Sequence, residues 1–315
     1  KLKVGERDIN RINPTIDNIY NEWFESYSKK VKKQTAFKTI SMYRYLGPIK
    51  NIKINDFDTN KYNHYRLYLE KFNFSAHHTN KILGILRNLI KYSNKYYNTS
   101  DRILKFIENF KDVNKINNEM DFYTYEEYKI FINRVEDFKW HTFFEILYFL
   151  GLRKGEIQAL TWKDINFNKG EININKTLTT KIVGEKWSIS SPKTKNSNRI
   201  LPLPNNIIND LKKLKDESMK YKDFQNNWFV FGGPIPFKES TITQKKNYYC
   251  DASNLRRIRV HDFRHSCASF LINNGASIML VSKYLGHSKV SITLDVYSHF
   301  YKSELNNITK IINNL

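Results

Sequence analysis

Residues 260–272 read VHDFRHSCASFLI. Apolar side chains recur through this stretch at intervals of three and four, the spacing of an amphipathic helix. Yet His261, Arg264 and His265 crowd its first turns. A helix anchored through Phe263, Ala268, Phe270 and Leu271 that carries such groups at one end would hold them rigidly. His261 and Arg264, three residues apart, fall on one helical face. Taken alone, His261 would read as an ordinary core histidine, and His265 reads as structural. A zinc reading can be weighed too, because His261 and His265 have the i, i+4 spacing of an HExxH site, with Cys250 and Cys267 nearby in sequence. Against it, Asp262 stands where the Glu belongs, Arg264 would set a cation beside the ligands, and the cysteines lack ligand spacing. No metal ligand is assigned.

Working outward, the other unusual polar residues of the second half gather in three short strings. GLRKGEI (151–157) sets Arg153 and Glu156 just after a strongly apolar run. PKTKNSNR (192–199) sets Lys193 and Lys195 at a β-turn. LGHSKVSITLDVYSH (285–299) carries His287 and, further on, Tyr297. Two arginines, a lysine, two histidines and a tyrosine suit phosphoryl transfer. Guanidinium groups clamp the nonbridging oxygens on which negative charge develops. A tyrosine hydroxyl, with an ordinary pKa of about 10, becomes a nucleophile once nearby cations help it lose its proton. Lysine or histidine can protonate the leaving oxygen, and no step calls for a metal or cofactor. An isolated RxxE would more often be a surface ion pair. Tyr297 is one of 20 tyrosines, so only the joint order of the strings singles it out.

GLRKGE, the PKT turn, HDFR, LGH and VYSH, in this order, closely resemble the motifs of the tyrosine recombinase (phage integrase) family. The TLDVYSH ending is most similar to integrases of Gram-positive phages and conjugative transposons. The resemblance covers both halves of the chain. It implies a two-domain fold, a helical core-binding domain followed by a mixed α/β catalytic domain, closing as a basic clamp around duplex DNA.

The resemblance also implies roles. Tyr297 attacks the scissile phosphate to form a 3′-phosphotyrosyl link and a free 5′-hydroxyl. Arg153 and Arg264 hold the nonbridging oxygens, and Lys193 is the general acid for the leaving group. His261 acts as base or phosphate donor, His287 donates a hydrogen bond to phosphate, and Glu156 orients the cations from behind. Lys195 lies on the same side of the strand alternation as Lys193, so the pattern does not separate them; the PKT context favours Lys193. The implied reaction is site-specific recombination through a Holliday junction, without ATP or metal. Two other functions fit part of the pattern. A non-catalytic recombinase-like DNA-binding protein would show an eroded catalytic set. A type IB topoisomerase would share the phosphotyrosine but not the specific site.

Composition agrees with an anionic partner. Lys and Arg number 52 against 31 Asp and Glu, a formal charge of +21, and each phosphate neutralised releases a condensed counterion. A Lys-biased solvated surface is the bland alternative. Hydrophobic content of 40% supplies material for cores, so long disorder is not expected. Two cysteines make no disulfide framework, which fits a reducing cytoplasm. No apolar run approaches membrane-spanning length. The chain opens on Lys1, from which a partial or processed chain is expected, and the resemblance implies an upstream arm-type DNA-binding domain.

The periodicities predict mainly α structure with a small antiparallel β-sheet. Four helical stretches, at IDNIYNEWFESYSKK, TAFKTISMYRYLGPI, TNKYNHYRLYLEKF and HHTNKILGILRNLIKYSNKYY, make a first domain of residues 1–111, its first thirteen or so a linker remnant. Residues 112–121 are polar and aperiodic, the expected linker, and 122–315 form the second domain. There FYTYEEYKIFINRV opens on capping-box spacing at Thr124 and Glu127, followed by an apolar helix at HTFFEILYFLGL. Strand-like alternation at INFNKGEININKTL and KWSISSPKTKNSNRILPL gives way to helices at NNIINDLKKLKDE, VHDFRHSCASFLIN and IMLVSKYLG. DNA contacts are expected at the starts of the second and fourth helices, with Thr35, Lys38, Thr79 and Lys81 exposed, and at Lys195. The tail SELNNITKIINNL places Leu305, Ile308, Ile311, Ile312 and Leu315 on one face. The resemblance implies that this stripe docks onto a neighbour in a DNA-bound homotetramer. Double-stranded attachment sites and accessory DNA-bending or excision factors are the other expected partners.

Overall fold

The computed structural model describes residues 13–112, 121–180, 182, 184–191, 197–291 and 293–294. The chain divides into two compact units, Lys1–Asn118 with Lys181–Lys186, and Glu119–Thr180 with Trp187–Leu315.

The first unit is built on four helices, α1 (Ile16–Ser28), α2 (Lys33–Tyr43), α3 (Thr59–Glu70) and α4 (Ala76–Tyr97). Each follows from local chemistry. Thr15 caps α1 in a capping box with Asn18, Asp58 caps α3 by accepting from the Lys61 N–H, and Ser75 caps α4. The break between α3 and α4 falls at Asn73, whose φ of 48° is in the left-handed region that asparagine tolerates. On α4 the residues Ile82, Leu83, Leu86, Leu89 and Ile90 are buried, a stripe that meets Ile16, Ile19, Tyr62 and Tyr65 in one core. All four predicted helical stretches are present.

The second unit begins with α5 (Tyr125–Ile132), where Thr124 and Glu127 form the predicted capping box. The apolar helix α6 (Phe138–Leu150) is buried along nearly its whole length. The short α7 (Lys154–Ala159) follows. Five short strands come next: β1 (Ile165–Asn166), β2 (Glu171–Ile174), β3 (Thr177–Thr179), β4 (Ser188–Ser190) and β5 (Arg199–Pro202). They make two antiparallel sheets rather than the single one expected, ordered β1-β2-β5 and β3-β4. The chain changes sheet at Asn175–Lys176, where the Lys176 ammonium is tied to Asp164 at 2.7 Å and to the Thr161 hydroxyl at 2.9 Å. Beyond it β3 pairs with β4, while β2 pairs with β5, Ile172 opposite Leu201.

Four further helices follow among the described residues: α8 (Asn205–Met219), α9 (Glu239–Ala252), α10 (Asp262–Asn273) and α11 (Ile278–Leu285). The helix α9 was not anticipated from sequence. Its buried stripe is Ile242, Lys246, Tyr249 and Cys250, so a lysine occupies a core position and breaks the apolar pattern. The structure accommodates it by a hydrogen bond from the Lys246 ammonium to the Ile258 carbonyl at 2.5 Å. Phe263 of α10 packs on Phe131 and Phe144, at ring separations of 5.4 and 5.6 Å, joining α5, α6 and α10 in one core.

The opening stretch needs two corrections. His261 is not on the face of α10 but one residue before it, at the N-cap, and it is exposed. The buried anchors of α10 are Phe263, Cys267, Ala268 and Ile272, whereas Phe270 and Leu271 are only partly covered. The cause is Asp262, which is 1% exposed and accepts from the Arg259 main-chain N–H at 2.6 Å and from its guanidinium. That local clasp starts the helix at Asp262 and leaves His261 outside it.

Candidate active site

Three chain reversals meet beside α10. Gly151 ends α6 with φ of 58°, and a Cβ there would lie 2.4 Å from Leu285 Cδ2 and 3.1 Å from Cys267 Sγ. Glycine is thus required twice over, by conformation and by space. Gly286 ends α11 in the same left-handed geometry, with φ of 69°. The third reversal is the entry to α7 at Arg153, whose main-chain N–H donates to Glu156 Oε2 at 2.9 Å.

Arginines tie these turns together. Arg264, 2% exposed, donates from Nη1 to the Gly151 carbonyl at 2.8 Å and from Nη2 to the Leu285 carbonyl at 2.6 Å. Arg153 donates from Nη2 to the Gly286 carbonyl at 3.0 Å and from Nη1 to Glu156 Oε1 at 2.7 Å. The GLR and LGH strings, far apart in sequence, are therefore one structural unit cross-linked by the two predicted phosphate-holding residues. The Arg153–Glu156 pair is no surface ion pair, since Glu156 is 4% exposed.

Sequence reasoning missed a third arginine. Arg199, at the start of β5, donates from Nη2 to Glu156 Oε2 at 3.1 Å and from Nε to the Tyr284 carbonyl at 2.9 Å. Its signal is present in the sequence, an arginine on the inward side of the alternation of SNRILPL, a pattern that by itself reads only as strand.

The electrostatics follow from this packing. Burial alone would raise the Glu156 carboxyl, but the charges and hydrogen bonds of Arg199 and Arg153 overcome it and hold the group below the usual carboxylate range. Burial, with Arg153 and Arg199 close by, presses Arg264 down to about 9, which still leaves it charged at neutral pH. His261, flanked by protein on one side and by Arg264, is held below the usual histidine value. His287 is pushed down to about 3 by burial and by Arg264 and Arg153. Its Nδ1 lies 2.7 Å from the Thr293 hydroxyl, so both histidines are neutral at pH 7. His265, edge-on to His261 with ring centres 5.2 Å apart, falls to about 4 through burial and its neighbour.

Arg153, Glu156, Arg264 and His287 are thus brought together, with His261 at the mouth of α10. Tyr297, Lys193 and Lys195 lie outside the described residues, as does the tail from Leu305 to Leu315. Cys250 and Cys267 are buried free thiols. Cys250 meets the Tyr123 hydroxyl and Cys267 the Phe149 carbonyl, so neither is turned to the two histidines as a ligand. In the first unit, Thr35, Lys38 and Lys81 are exposed. Thr79 is not: it is 3% exposed and its hydroxyl donates to the Ser75 carbonyl. The first turn of α4 faces Thr79 toward the core, so it cannot touch DNA from there.

Comparison with known proteins agrees with this architecture. The phage integrase family model matches residues 110–304, and the chain belongs to that family. It is 29% identical over 231 residues to the ICEBs1 integrase of Bacillus subtilis (strain 168), covering 70% of this chain and 62% of that protein. It is 30% identical over 221 residues to a XerC-like tyrosine recombinase of Caldanaerobacter subterraneus, covering 64% of this chain and 56% of that one. The chain thus spans roughly six-tenths of the length of these two relatives. With the integrase of Staphylococcus phage L54a the match is longer, 26% identity over 90% of this chain and 88% of that one. In fold it is similar to the Tn1549 transposon integrase solved with transposon right-end DNA, with TM-score 0.74, 17% identity, and coverage of 94% of this chain and all of that one. The lambda integrase dimer on a core site is also similar, with TM-score 0.68, 14% identity, and coverage of 91% and 79%.

Proposed function

We propose that the chain is a site-specific DNA recombinase of a mobile element, cleaving and rejoining duplex attachment sites through a 3′-phosphotyrosyl intermediate. One observation carries the reading: three guanidinium groups, Arg153, Arg199 and Arg264, surround a single buried carboxylate, Glu156. Arg264 is held by main-chain carbonyls, which leave its charge unneutralised. Such a surplus suits an anion with developing charge. Double-stranded DNA is the anion that fits the overall charge of +21 and the DNA-bound relatives.

In this mechanism Tyr297 Oη attacks the phosphorus while its proton passes to His261, which the site keeps neutral and able to accept it. The bond to the 5′-oxygen breaks as Lys193 delivers a proton to it. Arg153 and Arg264 hold the nonbridging oxygens, and neutral His287 donates an N–H to one of them. Attack by a 5′-hydroxyl of the exchanging strand reverses each transfer and releases Tyr297. Glu156, with Arg199 behind it, positions Arg153.

Strand exchange requires assembly, and we place it in a homotetramer on DNA, coupled through the C-terminal tail. A cavity of about 640 Å³ between β5 and α11, bordered by Ile200, Met279, Leu280 and Val290, supports a docking place for an apolar helix. Accessory bending or excision factors would act on the same complex. Among the described residues no helix is long and apolar enough to cross a membrane, and a DNA substrate places the activity in the bacterial cytoplasm.

The test is covalent trapping. Nicked duplexes spanning the ends of the host element are incubated with protein in EDTA and run on denaturing gels, for wild type and Tyr297→Phe. An adduct with wild type alone is expected. An adduct with both moves the nucleophile elsewhere. Tight binding without an adduct in either points to a non-catalytic DNA-binding protein, and relaxation of supercoils without site preference points to a topoisomerase. Removal of residues after Ser303 should impair cooperative strand exchange; unchanged exchange refutes the tail coupling.

A further inference from the structure

Away from the arginines, α6 and α8 face each other across a second polar cluster. His141 and Glu145 are four apart on α6, hence on one face, and Asp210 approaches from α8. One potential ligand atom from each, an imidazole nitrogen and two carboxylate oxygens, all lie within 4.8 Å of one another. His141 Nδ1 is 3.7 Å from Glu145 Oε2, too far for a hydrogen bond. Both atoms are buried, and neither has a hydrogen-bond partner. Glu145 is 9% exposed, so an unpartnered carboxylate oxygen is aimed into the cluster from within the fold. Its other oxygen accepts from Asn206 Nδ2 at 3.2 Å, which fixes the carboxylate's orientation.

Two carboxylates held this close repel unless a cation or a shared proton lies between them. Among the described residues the one lysine or arginine within 4.0 Å of the pair is Lys213, which stays 3.9 Å from Asp210 Oδ1 and is itself exposed. One nitrogen and two oxygen donors, oriented by an amide behind one of them and reached by solvent along His141, match what a four-coordinate ion with one water requires. We propose that His141, Glu145 and Asp210 bind a divalent first-row transition ion, Zn2+ by preference, which staples α6 to α8. The site is separate from the recombination chemistry, whose proposed steps use no metal. Small rotations about the side-chain torsions would bring the three atoms to ligand distances of about 2.0–2.2 Å.

The experiment uses the whole chain, stripped with EDTA and dialysed free of it. Binding of ZnCl2 is followed by calorimetry, binding of CoCl2 by visible absorption, and Tm is recorded with and without each metal. Wild type should bind one equivalent saturably and melt at a higher temperature when loaded. His141→Ala, at a partly exposed position, should keep the metal-free circular dichroism spectrum and lose roughly tenfold or more in affinity. Glu145→Gln and Asp210→Asn should abolish the metal-dependent rise in Tm. Absence of saturable binding, or equal affinity in His141→Ala, overturns the site. So does a cobalt–thiolate band, which would put the ion on Cys250 or Cys267. A metal-free wild type that is stabilised by acid, and not by Zn2+, would assign the carboxylates to a shared proton instead. Adduct formation in EDTA reports on the recombinase reading separately.

Discussion

Arg199 Nη2 donates to Glu156 Oε2 at 3.1 Å, between side chains only 7% and 4% exposed. The pair stands behind Arg153, so the residue that would meet a phosphate is positioned by a carboxylate that is itself positioned by a second arginine. Arg199→Ala leaves Glu156 short of one partner and the Tyr284 carbonyl without its donor. Removing one member of a buried pair costs about 3–5 kcal/mol, which urea unfolding would read as a lower midpoint. Arg199→Lys should recover part of the loss. A cost under about 1 kcal/mol would show that water or a rearranged Arg153 replaces the contact.

Glu156 sets an acid limb on stability. Its folded pKa lies below its unfolded value, because Arg199 and Arg153 outweigh burial. The stabilisation is therefore complete above the ordinary carboxylate range, about pH 4.3, and is lost as pH falls through the lower folded value. Glu156→Gln should flatten this part of the curve of unfolding free energy against pH. An unchanged slope below pH 5 would assign the acid limb to other carboxylates.

His287 gives a second and separate pH window. Its folded pKa of about 3 is below the ordinary histidine value of about 6.5. Between these limits the unfolded chain binds a proton that the folded chain refuses. Stability from this group thus rises with pH across the window and is fully present above about 6.5. Nuclear magnetic resonance of the His287 ring should show no titration from pH 8 to pH 5. Titration near pH 6 would mean that Arg264 and Arg153 do not bear on it as described.

Gly151→Ala would force a Cβ to within 2.4 Å of Leu285 Cδ2 at a left-handed φ. Overpacking of a core costs about 1–3 kcal/mol and the left-handed backbone roughly 1–2 more. The carbonyl that receives Arg264 moves with the turn. Both unfolding midpoint and adduct yield should therefore fall, the latter by more than Gly170→Ala, a distant turn glycine also at positive φ. Equal effects of the two would separate the turn from the chemistry.

On the first unit, Lys38→Ala and Lys81→Ala should each weaken DNA binding evenly across sequences. Each should also lower the salt slope of the association constant by about 0.9. Thr79→Ser, with its hydroxyl facing inward, should leave both quantities unchanged. A specific loss with Thr79→Ser would mean that the start of α4 opens on DNA.

The helices were legible because their apolar residues repeat at helical spacing and their caps are local, as at Thr124 and Glu127. Motif order singled out six residues as a catalytic set, and three of the four that are described, Arg153, Arg264 and His287, gather beside Glu156. What escaped depended on contacts the linear pattern does not encode. α9 was hidden by Lys246, a charge at a core position satisfied by a carbonyl twelve residues on. Arg199 was hidden because its partners, Glu156 and Tyr284, are distant in sequence. Thr79 read as exposed because a threonine near a helix start looks polar until the neighbouring stripe shows which way it faces. The division into two sheets is a matter of which strands pair, β2 with β5 and β3 with β4, and alternation within a strand does not encode its partner.

Arg264 bridges two turns with two of its N–H groups, one on each terminal nitrogen. A guanidinium has five such donors in a fixed plane, so three remain after the scaffold is satisfied. An ammonium has three, all radiating from one atom, and cannot span both carbonyls and still present a flat pair to an incoming oxygen. The valency of this side chain, more than its charge, is what lets a single residue serve as masonry and as receptor.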